Sequence, residues 1–358
     1  MRRVLPLCAV LLVAGWLALD RFGPATAPPA GGAGAGRAST GGALVPSPAA
    51  SLGVAARPEA SGFSLRELGV PGGWRELRPL ERGARSLVLA EPPRRIVSQA
   101  LVADEILLAL DVGDRLVAVS RPALEPRFSM VVPEARRVGT TVAASAEHIL
   151  SLRPDLVFLA VYSTAEAQRQ LAMAKAPAIR LDRFDSLESV RGNVRVVGFA
   201  VGEDAAAAAL VEEMDRRIER ARLRARLSLG GRAPRVLGWE DGAVPARGTI
   251  FHDLVATLGA QNVAAGAGLS GWPRVAAEQI ASWDPDLLFV PAEAHEYAAV
   301  LGSLRAQPGL GETRAVREGA VAAVPRAVYS TVSHHVASLA DSIADSLGQW
   351  AKDHGSDR

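Results

Sequence analysis

Two stretches of this chain, 131 positions apart, are nearly the same: AEHILSLRPDLVFLA from Ala146 and AEQIASWDPDLLFVP from Ala277. Aligned without gaps, eight of the fifteen positions are identical. Each copy reads as a short helix opened by a glutamate, a Pro-Asp break, and an apolar run of strand length. The likeness extends upstream. RIVS from Arg95, followed by an apolar helix ending LALDVGDRLVAVS, is echoed by RVLGW from Arg235, followed by IFHDLVATLGAQNVAA. One α/β unit has been used twice, so the chain must fold into two like lobes with a cleft between them, where small ligands bind. Strands apolar on both faces that alternate with helices predict mainly parallel sheets flanked by helices.

The predicted segments are a signal peptide or N-terminal membrane anchor over 1–22, a Gly/Ala/Pro-rich linker over 23–62, an N-terminal lobe over 63–185, connecting helices over 186–232, a C-terminal lobe over 233–351 and a tail over 352–358. The leader rests on Arg2 and Arg3 ahead of the apolar run Val4 to Leu19. Its small-residue site, Ala25-Thr26-Ala27, is followed by Pro28, so cleavage and retention as an inner-membrane anchor both stay open. Cys8 sits inside the apolar stretch, preceded by Leu7 where a lipidated cysteine needs a small residue. The ordered body is expected to begin near Phe63, with WRELRPLERGARSLVLAEPPRR (Trp74 to Arg95) as an edge segment feeding the first core strand at Ile96.

Between the lobes, Asp185 and Glu188 are expected to form a capping box opening a helix through about Val201. A longer helix follows from Asp204 to about Leu229. Its apolar stripe is Ala207, Val211, Met214, Ile218, Ala221 and Ala225, with Glu212–Arg216 and Glu213–Arg217 expected as pairs on the solvent face. At about 1.5 Å per residue such a helix spans a whole lobe. A helical spine between two copies of one unit limits hinge motion, so little closure on ligand binding is expected.

Composition removes several kinds of chemistry. The formal net charge is +2, too small an excess to hold a nucleic-acid backbone. The only lysines are Lys175 and Lys352, and the sole cysteine is Cys8; Schiff-base, Walker-lysine, thiolate and disulfide chemistry have almost nothing to use in the folded body. GAGLSG from Gly266 fits G-x-G-x-x-G, but it follows a helix end and runs into Trp272-Pro273, so it reads as a loop. No G-x-S-x-G elbow is present. Asp155 and Asp286 each follow a proline ahead of a strand and read as repeated turn chemistry.

Ligand contacts are expected from loops at the carboxyl ends of the strands. In the first lobe these are Ser98 and Gln99, Arg121 with Phe128, and Tyr162 with Ser163; in the second, Trp239 with Glu240, Trp272 with Arg274, and the loop from Tyr329 through His334 to His335. Aromatic rings would stack on a flat ligand while Arg121 or Arg274 meets anionic groups. For Trp239 and Tyr162, packing in the core is an equal alternative. His334 and His335 are expected to point about 100 degrees apart and so not to share a metal ion. Ser333 is expected to cap the last helix, whose stripe is Val336, Leu339, Ile343, Leu347 and Trp350.

Taken together, these motifs resemble the class III substrate-binding proteins of ABC importers, the helical-backbone receptors for cobalamin, haem, ferric siderophores and some metals. IVSQALVADEILLAL resembles the opening strand, turn and helix of that family, GTIFHDLVATLGAQNVAA its second-lobe helix, and GWPRVAAEQIASWDPDLLFV its Trp-Pro and glutamate element. Leu101 departs from the family's turn proline, and the leader lacks a lipobox. The resemblance covers roughly Pro92 to Trp350. It implies an extracytoplasmic, periplasmic receptor, a monomer with no built-in cofactor and no catalysis, that delivers a corrinoid, haem or ferric siderophore to a permease and its ATPase. It also implies that Glu147 and Glu278 dock on the permease, although a first-turn glutamate also complements its helix dipole by about 0.3–1 kcal/mol. An axial Tyr162, Tyr329, His334 or His335 to haem iron would fit such a cargo. The alternative is a membrane-tethered α/β protein with sensory or enzymatic work unrelated to import.

Overall fold

A computed structural model describes residues 57–70, 73–81, 85–143 and 145–354. The expected leader and most of the expected linker lie outside the described residues.

The first described element is an antiparallel meander of four strands in sequential order, β1 (Arg57–Ala60), β2 (Phe63–Val70), β3 (Gly73–Pro79) and β4 (Leu87–Leu89). This corrects two expectations: residues 57–62 are strand and turn rather than linker, and the expected edge segment belongs to a sheet of its own. Leu65, Leu77 and Leu89 alternate onto one face and join the core of the first lobe. Arg75 fastens the sheet to the connecting helices. Its guanidinium lies 4.4 Å from the ring centres of both Trp74 and Phe199, pairs with Asp204 at 2.6 Å and donates to the carbonyl of Phe199.

The first lobe is a five-stranded parallel sheet in the order β7 (Thr141–Val142), β6 (Leu116–Ser120), β5 (Ile96–Ser98), β8 (Leu156–Leu159), β9 (Ala178–Arg180). The second is a four-stranded parallel sheet in the order β11 (Gln261–Asn262), β10 (Arg235–Gly238), β12 (Leu287–Pro291), β13 (Val321–Val324). In both, the strand order reverses beside the lobe's opening strand. A crevice forms at the carboxyl ends there, between β5 and β8 and between β10 and β12.

The duplication persists in side-chain detail. Asp155 accepts from the backbone N–H of Arg94 and Arg95 at 2.7 and 2.9 Å, and Asp286 accepts from that of Arg235 at 2.7 Å. The guanidinium of Arg95 binds the carbonyls of Leu152 and Arg153, and that of Arg235 binds those of Trp283 and Asp284. Each clamp ties the start of the lobe's opening strand to the turn before its central partner.

The spine helix, Asp204–Leu229, buries the whole expected stripe. Ala207 and Val211 belong to the first lobe's core, whereas Met214, Ile218, Ala221 and Ala225 belong to the second's. The preceding helix, Leu187–Val201, divides in the same way: Leu187 and Val190 lie in the second core, and Val194, Val197 and Phe199 in the first. Its cap differs from the expected box. Ser186 is the N-cap and exchanges hydrogen bonds with Ser189, because the two hydroxyls stand three apart across the first turn while Glu188 points outward to Arg191 and Arg195. On the spine, Arg216 meets Glu212, but Arg217 does not pair with Glu213. It faces the terminal helix Val336–Asp353 and binds Asp341 at 2.8 Å and Ser338, leaving Glu213 to Arg216 and Arg220. The terminal helix is entered through His335; Ser333 accepts from the His335 amide just outside it instead of capping its first turn. Among the described residues, no helix is long and apolar enough to cross a membrane.

Candidate functional site

The first-lobe wall begins where β5 ends. Ser98 is fully buried and its hydroxyl donates to the carbonyl of Ala100. The amide of Gln99 donates to the carbonyl of Phe158 in neighbouring β8, the Tyr162 hydroxyl donates to the Gln99 carbonyl at 3.1 Å, and Ser163 donates to the Gln99 side chain. Ser98, Gln99 and Ser163 are therefore scaffold that fixes two strand ends together, not cavity lining. Behind them the helix Leu101–Ala109 carries two adjacent buried acids. Asp104 accepts from the amide and hydroxyl of Ser120, Glu105 from the amide of Met130. Burial pushes both carboxyls up to about 7, against the opposing pull of these donors and, for Glu105, of the Ser333 hydroxyl.

The second-lobe wall begins where β10 ends. The Trp239 amide donates to the carbonyl of Phe289 in β12, and Glu240 and Ala243 exchange backbone hydrogen bonds at 3.0 and 2.8 Å. The two residues between them, Asp241 at φ 48° and Gly242 at φ 87°, both take left-handed backbone, the geometry of a tight hairpin turn that Asp-Gly favours. Arg274, itself exposed, donates to the carbonyl of Asp241 and braces this turn. Behind the turn Tyr329 is buried in an aromatic cluster, its ring centre 5.9 Å from Phe251 and 6.4 Å from Trp272. Gly238 makes room for it, since a Cβ there would stand 2.6 Å from the Tyr329 hydroxyl and from Pro245.

Polar atoms remain unpartnered on this side. Glu240 Oε2, the Tyr329 hydroxyl, His334 Nδ1 and His335 Nε2 are all buried without a hydrogen bond. Burial raises the Glu240 carboxyl to about 7; Asp241 adds to this, while Arg326 and Arg127, the latter from the first lobe, oppose it. His334 and His335 do not diverge as expected, because they precede the helix: their ring centres lie 4.0 Å apart. Burial lowers them to about 3 and about 4. Among the described residues, no three His, Cys, Asp or Glu side chains are grouped to hold a metal ion.

Between the walls lies a cavity of about 100 Å³. The first lobe lines it with Leu101, Glu105, Phe128, Tyr162, Leu181 and Phe184, and the second with Ser330, Thr331 and Val332. Of the expected contacts, Phe128 and Tyr162 are thus brought together. Arg121 is exposed, and neither it nor Trp239, Trp272, Arg274, Tyr329 or His334 is among the residues that line the cavity. Glu105 and Phe184 were not foreseen. The signal for Glu105 was present, as a pair of carboxylates in an otherwise apolar helix. Glu147 and Glu278 are both exposed in the first turns of the helices Ala146–Ser151 and Ala277–Trp283. Both helices run back antiparallel to their sheets, which puts both glutamates at the carboxyl edges, the same end as the crevices.

The sequence model of a family described as periplasmic binding protein matches residues 96–328. An uncharacterised ABC transporter substrate-binding lipoprotein of Bacillus subtilis is 24% identical over 211 residues, which cover 57% of this chain and 65% of that protein, a little under two thirds of its length. A vitamin B12-binding protein of Pectobacterium carotovorum is 25% identical over 219 residues, 58% of this chain and 75% of its own. Among solved structures, a periplasmic heme-binding protein of Roseiflexus sp. RS-1 superposes with a TM-score of 0.61 at 25% identity, covering 72% of this chain and 99% of that one.

Proposed function

Because the chain belongs to the periplasmic binding protein family, we propose that it is an extracytoplasmic receptor that captures a bulky corrinoid, haem or ferric-siderophore cargo between its lobes and hands it to an ABC importer permease. The observation that carries this reading is the cavity at the paired strand-order reversals, with Phe128, Tyr162 and Phe184 on one side and the segment Ser330–Val332 on the other. Two relatives bearing vitamin B12 and heme in their names support the cargo class. At about 100 Å³ the cavity is smaller than the roughly 300–1,000 Å³ of a small-molecule site. Capture therefore requires Ser330–Val332 to withdraw from Phe128 and Phe184, a local motion that the spine, shared by both cores, does not oppose. The glutamates Glu147 and Glu278 supply two exposed carboxylates on rigid lobes, suited to set register on arginines of a permease.

Equilibrium dialysis of the full chain against cyanocobalamin, haemin and several ferric siderophores tests the reading. Saturable one-to-one binding of one of them supports it. A folded chain that retains none sinks it.

A further inference from the structure

Two polar atoms of the second lobe have no task in the fold. Glu240 stands just beyond β10, at the point where the strand order of its sheet reverses, and its Oε2 is shielded from solvent without a partner. The Tyr329 hydroxyl, in a residue only 3% exposed, is likewise alone, and it lies close enough to feel the charge of Glu240. Neighbouring groups are committed elsewhere: Arg274 holds the carbonyl of Asp241, and Arg326 pairs with Glu296. Arg127 acts on Glu240 from the first lobe only through space. The turn that carries Glu240 is fixed by the reciprocal Glu240–Ala243 bonds and the Arg274 brace. Glu240 is thus held in place at a lobe edge with an acceptor atom unused.

Buried acceptors without partners are rare in folded proteins, and a donor brought from outside the chain is one way such an atom is satisfied. An ionised carboxylate only accepts, and a phenol can accept beside it. A cargo edge bearing an N–H group would give Glu240 its missing donor and favour its ionised form, whereas a carboxylate edge would meet that form as a like charge. Resting on the receptor reading above, we propose that Glu240, with the Tyr329 hydroxyl behind it, selects the cargo: it accepts from an N–H edge such as a primary carboxamide and rejects a carboxylate edge.

A matched series separates the two chemistries on one macrocycle. Cyanocobalamin carries primary carboxamides around its ring, and mild acid hydrolysis converts them one at a time into carboxylic acids. Dissociation constants of the full chain and of Glu240→Gln are measured for cyanocobalamin and for each monocarboxylic acid, with haemin as a second cargo. The wild-type chain is expected to bind cyanocobalamin at least tenfold more tightly than one of the monoacids. Glu240→Gln, of nearly the same shape and able to donate as well as accept, is expected to bring that ratio close to one. If both proteins show the same ratio for every monoacid, or the chain takes haemin and not cyanocobalamin, the selection by Glu240 is overturned while the receptor reading stands. If the folded chain binds neither macrocycle, the selection by Glu240 is overturned, and the receptor reading falls with it only when the ferric siderophores are not retained either.

Discussion

Asp104 and Glu105 lie side by side in a helix whose other buried residues are apolar, and burial raises both carboxyls to about 7, so that each changes charge across neutral pH. A carboxyl raised in the folded state contributes stability that is fully present below its unfolded value, near 4, and is lost as pH rises through about 7. For Asp104 this amounts to about 4 kcal/mol. His334 and His335 act in the opposite sense. Lowered by burial, they contribute stability above about 6.5 that is lost as pH falls toward 4 and 3. The two effects oppose each other across the same window. Asp104→Asn removes one of the acid contributions, so its melting temperature relative to wild type should climb between pH 5 and pH 8. An unchanged difference at the two pH values would contradict the placement of Asp104. Tyr329→Phe removes a buried hydroxyl that lacks a partner, and thermal unfolding should find the variant as stable as wild type or about 1 kcal/mol more stable. A loss of 2 kcal/mol or more would mean that the hydroxyl does have a structural partner.

The elements differ in how openly the sequence announces them. The spine was legible because its stripe repeats every three to four residues over 26 residues, and Asp204–Leu229 forms as expected. The strands of both lobes were legible because they occur twice. The meander was not, since it has no second copy; its signals were two alternating runs around Pro71-Gly72-Gly73, short enough to pass for an edge segment. Pairings were the weakest expectation. Arg217 could reach Glu213 on its own helix or Asp341 on another, and periodicity does not distinguish the two. The meander depends on Arg75, which is nearly buried between two rings and paired with Asp204. Taking away one partner of such a pair strands the other, so Arg75→Ala should cost on the order of 3 kcal/mol. Limited proteolysis should then cut first within residues 57–89. A variant with wild-type melting and cleavage would show that the sheet is held by its apolar face alone.

For the whole molecule, duplication explains why so much of the architecture could be read and so little of the cavity. Repeats reveal what the lobes share, namely the Arg-Asp clamps, the strand order and the glutamates at the carboxyl edges. The cavity is built from what they do not share: Phe128 and Phe184 on one side, Ser330–Val332 on the other. Nothing in a pattern of apolar residues separates a wall such as Phe128 from a core ring such as Tyr329. Under the receptor reading, Glu147→Ala with Glu278→Ala should abolish uptake by cells carrying the cognate importer and leave cargo affinity unchanged, as measured by transport and by binding. Normal uptake would return both glutamates to the role of helix-dipole partners. The central claim is capture between the lobes, and hydrogen–deuterium exchange of the full chain tests it most directly, with and without whichever of cyanocobalamin or haemin it binds. The account predicts cargo-dependent protection in residues 98–105, 128–131, 160–163 and 329–335, with the buried face of the spine unchanged. Protection confined to surfaces away from these segments would contradict it.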